Sequence, residues 1–200
     1  MRDRIEELSA AFARFPGIGP RQAKRFTYYL LAAPPGERAK LAELVAGIAA
    51  SVRQCPSCMR FWSGAGERCE YCADASRDDG LLMLVEKDQD VAAVERAGMY
   101  RGRYFVLGGV LTLSGKGAIR ERELLRAAQE RSARGLREIV LALSATSEGE
   151  HTADHVRAIL APYRDRVRLS VLGRGLSTGA ELEYADAETL SGALANRKET

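Results

Sequence analysis

Along the first fifty residues apolar side chains recur at helical spacing, and beyond residue 80 they fall into short continuous runs. Residues 3–15 place Ile5, Leu8, Phe12 and Phe15 on one face, which predicts a helix, and "PGIGP" at 16–20 ends it with two prolines and two glycines. A second helix over "RQAKRFTYYLL" turns Ala23, Phe26, Leu30 and Leu31 inward and stops before "APPGE". A third, over about 38–52, carries Leu41, Leu44, Val45 and Ile48 as its expected buried stripe. The later runs, "LLMLV" at 81–85, "RYFVL" at 103–107, "EIVLAL" at 138–143 and "VRLSVL" at 167–172, read as strands. Helical stretches separate them at about 88–97, 120–134 and 151–161, and this alternation predicts a compact α/β sheet with mainly parallel strands. From residue 173 the chain becomes a glycine-rich turn, an acidic link and a short final helix.

Composition narrows the setting. With 46% hydrophobic and 28% charged residues in 200, the chain is an ordinary globular one, and disorder is excluded as its dominant state. No segment reaches the roughly 18 consecutive apolar residues of a membrane span, and the start, "MRDRIEELSAAFARF", is charged where a signal peptide is apolar. A cytoplasmic protein without membrane association is the expectation. The formal net charge of +3 hides an uneven distribution: bases dominate residues 14–25, and acids gather around 86–95 and 181–188.

Three motifs carry candidate chemistry. In "FPGIGPRQAKRF" a Gly-x-Gly hairpin between two helices leaves backbone N–H groups and a helix N-terminus free to meet a phosphate oxygen. Gly17 and Gly19 permit close approach, and Arg21, Lys24 and Arg25 follow along the next helix, where Arg21 and Arg25 share a face. The alternative is a helical corner with a solvated basic face. In "CPSCMRFWSGAGERCEYC" two CxxC knuckles, Cys55 with Cys58 and Cys69 with Cys72, stand ten residues apart. That is the spacing of a structural zinc ribbon, in which four thiolates fill a tetrahedral ion and leave no open position for catalysis. Redox cysteines and an iron–sulfur cluster are the alternatives. The third motif is a pair of strand ends: "LLMLV" runs into Glu86, Asp88 and Asp90, and "EIVLAL" runs into "SATSEGE" with Glu148 and Glu150. Carboxylates at the C-terminal ends of neighbouring strands are what a Mg2+ site on such a sheet requires. His151 and His155, one helical turn apart, have metal-ligand spacing but read better as solvated helix residues.

"LLMLVEKDQDVAAVE", "YFVLGG" and "LALSATSEGE" together resemble a Toprim domain, the α/β module of topoisomerases, primases and some nucleases. Glu86 matches that family's glutamate and Gly149 its glycine, whereas its DxD positions hold Ser144 and Thr146, poor substitutes for two carboxylates. The order of hairpin, four-cysteine knuckle, Toprim segment and a terminal "GRGLSTGAELEYAD" resembles, along nearly the whole chain, the RecR family of bacterial recombination mediators. The chain departs from that family's usual pattern at Ser144, Ala145 and Thr146, where members commonly read Asn-Pro-Thr, and at Ser177, where they carry proline.

The resemblance implies four parts: a helix-hairpin-helix DNA-binding domain at 1–53, a four-cysteine zinc finger at 54–76, a Toprim domain at 77–172 and a C-terminal Walker B-like segment at 173–200. It implies a protein of DNA repair and recombination without catalytic activity. Such a protein binds single- and double-stranded DNA, holds one structural zinc per chain on Cys55, Cys58, Cys69 and Cys72, and forms dimers or ring-shaped tetramers. Members act with RecO, often with RecF, to load RecA onto single-stranded DNA. The family's hairpin bases correspond to Arg21 and Arg25, and an acidic surface with Glu86, Glu148 and Glu150 is the expected partner face. The competing expectation is a Mg-dependent Toprim nuclease or topoisomerase-like enzyme using Glu86, Asp88, Asp90, Glu148 and Glu150. A zinc-containing RNA-binding protein is a third.

Overall fold

The computed structural model describes residues 3–114, 117–173 and 175–197. Arg174 of the glycine-rich turn and the outermost residues of the first and last expected domains lie outside the described residues. The chain divides into two compact units, Met1–Val52 and Arg53–Thr200.

The first unit is helical. Helix α1 (Arg4–Phe12) starts where Asp3 accepts a hydrogen bond from the Ile5 N–H, α2 (Pro20–Ala32) starts with proline in its first turn, and α3 is Pro35–Ser51. Phe15 lies beyond α1 and is exposed, so the first helix is shorter than its apolar spacing predicts. Helices α1 and α2 are joined by the edge-on rings of Phe12 and Phe26, 5.8 Å apart, and by a buried Ser9–Thr27 hydroxyl pair at 2.9 Å. Arg38 donates to the carbonyls of Leu30, Leu31 and Ala33, which satisfies the open C-terminal end of α2. Leu31 is exposed, not turned inward as the spacing suggested. The α3 stripe is a larger correction: Leu41, Leu44, Val45 and Ile48 are all exposed, between 42% and 62%. Among the described residues the hydrogen bonds that tie α3 to α2 gather at its first turn, through Glu37 and Arg38, and the helix then extends away with its apolar face uncovered.

The second unit begins with a two-stranded antiparallel ribbon, β1 (Arg53–Gln54) and β2 (Phe61–Trp62), and a single helical turn, α4 (Glu70–Ala73). The α/β alternation follows: β3 (Asp78–Val85), α5 (Asp88–Ala97), β4 (Gly102–Val106), α6 (Glu121–Ser132), β5 (Glu138–Ala142), α7 (Ser147–Ile159) and β6 (Arg168–Val171). All four strands from β3 onward are parallel, in the order β4-β3-β5-β6. Strand β3 starts three residues earlier than its apolar run, because Asp78 is in register with Gly102 and donates its N–H to the Arg101 carbonyl at 2.8 Å. One face of the sheet packs Leu82, Leu84, Phe105, Ile139 and Leu141 on Leu124 of α6 and Val156 of α7. The other packs Met83, Val85, Tyr104 and Val106 on Val91 of α5. With helices on both faces, the strands are the continuous hydrophobic runs seen in the sequence. After β6 the chain passes through a short 3-10 turn at Leu182–Tyr184 to α8 (Ala187–Ala195), whose N-terminus is capped by Asp186 on the Thr189 N–H.

Candidate nucleic-acid interface and metal centre

Between α1 and α2 the backbone reverses through Gly17, held at φ +76°, a conformation that L side chains rarely adopt. Gly19 is the N-cap of α2, so that helix starts without a capping side chain. Open space surrounds both glycines where a side chain would begin. The N–H groups of the first turn and the positive end of the α2 dipole therefore face outward. Arg21, Lys24 and Arg25 are exposed beside them. The three differ in their commitments: Lys24 pairs with Glu6 at 3.2 Å, and Arg25 makes a long 3.4 Å bond to Gln22. Arg21 has no side-chain partner among the described residues.

The four cysteines are buried, free of disulfides and converge, with their Sγ atoms all within 4.8 Å of one another. The Met59 N–H donates to the Cys55 carbonyl, with Met59 at φ +62°, and the N–H groups of Cys72 and Ala73 donate to the Cys69 carbonyl. These two turns aim both sulfur pairs at one point. Zinc–sulfur bonds of about 2.3 Å in a tetrahedron set sulfur separations of roughly 3.8 Å, and Cys58 and Cys69 stand 3.6 Å apart. The donor set fits a tetrahedral thiophilic ion. Hydrogen bonding from Cys58, Cys69 and Cys72 holds the Cys55 thiol far below its ordinary value, and bonding with Cys55 pushes Cys58 far up. At Cys69 the bond with Cys55 raises the pKa, and those from Cys58 and Cys72 outweigh it, giving about 7. Hydrogen bonding with Cys55 raises Cys72 as well, so two thiols are held low and two high, and a thiophilic ion must displace protons from the site as it binds.

The knuckles are fixed to the sheet. The Val106 N–H donates to the Cys58 carbonyl at 2.8 Å, Arg103 donates to the Tyr71 carbonyl at 2.7 Å, and Arg120 bridges the carbonyls of Met59 and Val106. Met59 itself belongs to the main core. Sequence reasoning missed Arg120, which follows no strand and matches no motif.

At the C-terminal ends of β3 and β5 the expected cation site is occupied by internal hydrogen bonds. Glu86 is buried, and its Oε1 accepts both the N–H and the hydroxyl of Ser144, each at 2.6 Å. The Ser144 hydroxyl stands 3.1 Å from that of Thr146, which accepts the Gly149 N–H and caps α7. Helix α7 therefore begins four residues before the expected 151 and takes Glu148 and Glu150 into its first turn, where carboxylates suit the dipole. Asp88 accepts the Phe61 N–H at 2.7 Å, and Asp90 accepts the Lys87 N–H at 2.8 Å. Glu86, Asp88 and Asp90 each hold an internal hydrogen bond, and among the described residues no three carboxylates converge as a Mg2+ site requires. Burial also removes Glu86 from the expected acidic partner surface, while Glu148 and Glu150 remain partly exposed. His155 lies 2.8 Å from Glu121 and His151 is exposed; among the described residues the four cysteines are the sole cluster of metal-ligating side chains. No helix among the described residues is long and apolar enough to cross a membrane.

A glycine hairpin between helices, a four-cysteine centre and a parallel sheet with a glutamate at its switch point define a modular helix-hairpin-helix and Toprim protein. Family comparison agrees part by part: residues 5–47 match the RecR helix-hairpin-helix, 80–172 the Toprim domain and 175–198 the RecR C-terminal model. The chain is 38% identical over 194 residues to "Recombination protein RecR" of Cereibacter sphaeroides, covering 97% of this chain and 96% of that protein. It is 41% identical over 197 residues to the protein of the same name from Treponema pallidum, covering 97% and 94%. With that of Bifidobacterium longum subsp. infantis it shares 37% over 198 residues, covering 98% and 96%. The chain belongs to the RecR family.

Proposed function

We propose that this protein is a non-catalytic, DNA-binding recombination mediator of DNA repair, working in the cytoplasm as an oligomeric clamp. With RecO, and with RecF where that partner takes part, it helps load RecA onto single-stranded DNA. The four parts assigned from the sequence, at 1–53, 54–76, 77–172 and 173–200, serve in order as DNA grip, zinc-held junction, partner platform and subunit contact. The observation that carries the reading is the uncapped N-terminus of α2 behind Gly17 and Gly19, with Arg21 and Arg25 exposed beside it. Backbone donors and guanidinium groups bind phosphate oxygens without reading bases, so single- and double-stranded DNA are both ligands. Lys24, already paired with Glu6, contributes less. Zinc is the thiophilic ion assigned to the cysteines, and Glu148 and Glu150 are the carboxylates offered to a basic partner.

Titration of labelled single-stranded and tailed duplex DNA, with and without Mg2+, tests this. The expected result is binding with unchanged DNA length, weakened about tenfold or more by Arg21→Ala/Arg25→Ala. Mg-dependent cleavage abolished by Glu86→Ala would refute the non-catalytic assignment. Preference for RNA over a matched DNA competitor would refute the substrate.

One hairpin makes few phosphate contacts, so clamp function requires several of them linked together. The uncovered α3 face supplies a self-complementary apolar surface for a second copy. Leu44→Glu/Ile48→Glu is expected to shift sedimentation to the monomer and to lower DNA affinity by at least about tenfold through lost avidity. A double variant that stays oligomeric removes α3 from the subunit contact.

A further inference from the structure

Pro56 and Ser57 of the first knuckle and Arg68 just before the second form one side of a cavity of about 100 Å³, and α6 forms another. Five guanidinium groups line it, from Arg68, Arg103, Arg126, Arg131 and Arg134, against three carboxylates. Arg103 is already held by Asp79 at 2.7 Å and by the Tyr71 carbonyl. The other four make no side-chain hydrogen bond or ion pair among the described residues. Glu123 and Glu130 lie on the same face of α6, three before and four after Arg126, yet neither closes a salt bridge with it. A helix C-terminus accounts for Arg131 in the last turn of α6. It does not account for Arg68, which comes from the cysteine loop, or for Arg126 in mid-helix. Like charges gathered from two separate segments around a concave site, without internal partners, are matched by an external anion.

We propose that this cleft is a second phosphate-binding site, taking phosphodiester groups of the nucleic-acid backbone. Its lining has no aromatic ring on which a base could stack, so it holds phosphate and ignores sequence. The zinc knuckle then has a second role, because the turn that carries Cys55 and Cys58 is also a wall of the cleft. The proposal deepens the DNA-binding function above and rests on it, but it uses none of the hairpin residues.

The test is salt-dependent DNA binding by the full chain, using duplex DNA and inorganic phosphate as separate probes. Wild type is compared with Arg126→Ala/Arg134→Ala, with the charge-keeping Arg126→Lys/Arg134→Lys and with Arg21→Ala/Arg25→Ala, each checked for full metal content. If the cleft grips two phosphates, its alanine variant binds duplex DNA about tenfold more weakly, and the slope of log affinity against log salt falls by roughly 1.8. The lysine variant keeps most of that slope. An alanine variant with unchanged slope and affinity overturns the proposal. So does a cleft that binds inorganic phosphate, seen as thermal stabilisation lost in the alanine variant, while the DNA slope stays the same. If the hairpin variant binds DNA normally and the cleft variant does not, the hairpin assignment fails and the cleft stands. If wild type binds no DNA, both fail.

Discussion

Chelation at neutral pH is expected to release the zinc assigned to the four cysteines, one per chain, and to shift the fluorescence of Trp62 toward that of a solvated indole. Trp62 is the single tryptophan in the sequence, is 7% exposed, and packs among the four cysteines with Arg53 over its ring at 4.7 Å. Its emission therefore reports on the ribbon alone. Apparent binding energies of structural zinc are on the order of 10–16 kcal/mol in small domains, so the metal decides whether two short strands and one helical turn hold together. The loss spreads into the sheet, because Met59 lies in the main core and Arg120 bonds its carbonyl. Freeing Met59 and the hydrogen bonds around it costs about 3–5 kcal/mol, which lowers the melting temperature by roughly 10–15 °C. Cys58→Ser reproduces both effects. Unchanged Trp62 emission in protein shown to be metal-free would mean that the ribbon stands without an ion.

Gly149→Ala is expected to destabilise the second unit by about 3 kcal/mol or more. A Cβ there would lie 2.0 Å from the Ser144 carbonyl oxygen and 2.8 Å from its hydroxyl. Neither side gives way easily, since β5 is in register with β3 and the Thr146 cap fixes the start of α7. Any shift also pulls Ser144 off Glu86, which leaves a buried carboxylate short of donors. Ser144→Ala removes the hydroxyl and keeps the N–H, so its cost is smaller, about 1–3 kcal/mol. Urea unfolding of the three proteins ranks them: wild type most stable, Ser144→Ala between, Gly149→Ala least. A Gly149→Ala protein as stable as wild type would show that the β5–α7 junction can open without loss.

The sheet was largely legible because its strands are buried on both faces, so "LLMLV" and "EIVLAL" stand out as unbroken apolar runs. Strand order was not, since periodicity says nothing about which run lies beside which. The early start of α7 has a local signal in Thr146 followed by acids at 148 and 150, but the first turn shows little apolar side chain, so periodicity places the helix only from 151. The α3 spacing predicts a buried stripe of Leu41, Leu44, Val45 and Ile48, and all four are exposed: spacing reports where apolar residues fall, not what covers them. The cysteine site could be found by spacing alone, because two CxxC turns bring sulfur together almost regardless of context. Glu86 illustrates the opposite case. Its position after β3 marked it as a ligand or contact, and only its tertiary partner, Ser144, shows that its charge is satisfied internally.

Parallel sheets with an open edge invite a stray strand to add on, and β4 is such an edge. Here groups at both ends of that edge are already taken: the Gly102 carbonyl by Arg77, the Val106 N–H by Cys58 and the Val106 carbonyl by Arg120. Two long cations and a knuckle carbonyl blunt the strand as a templating surface. The ribbon thereby guards the sheet against aggregation, and chains made where metal is scarce would expose that edge to edge-to-edge association.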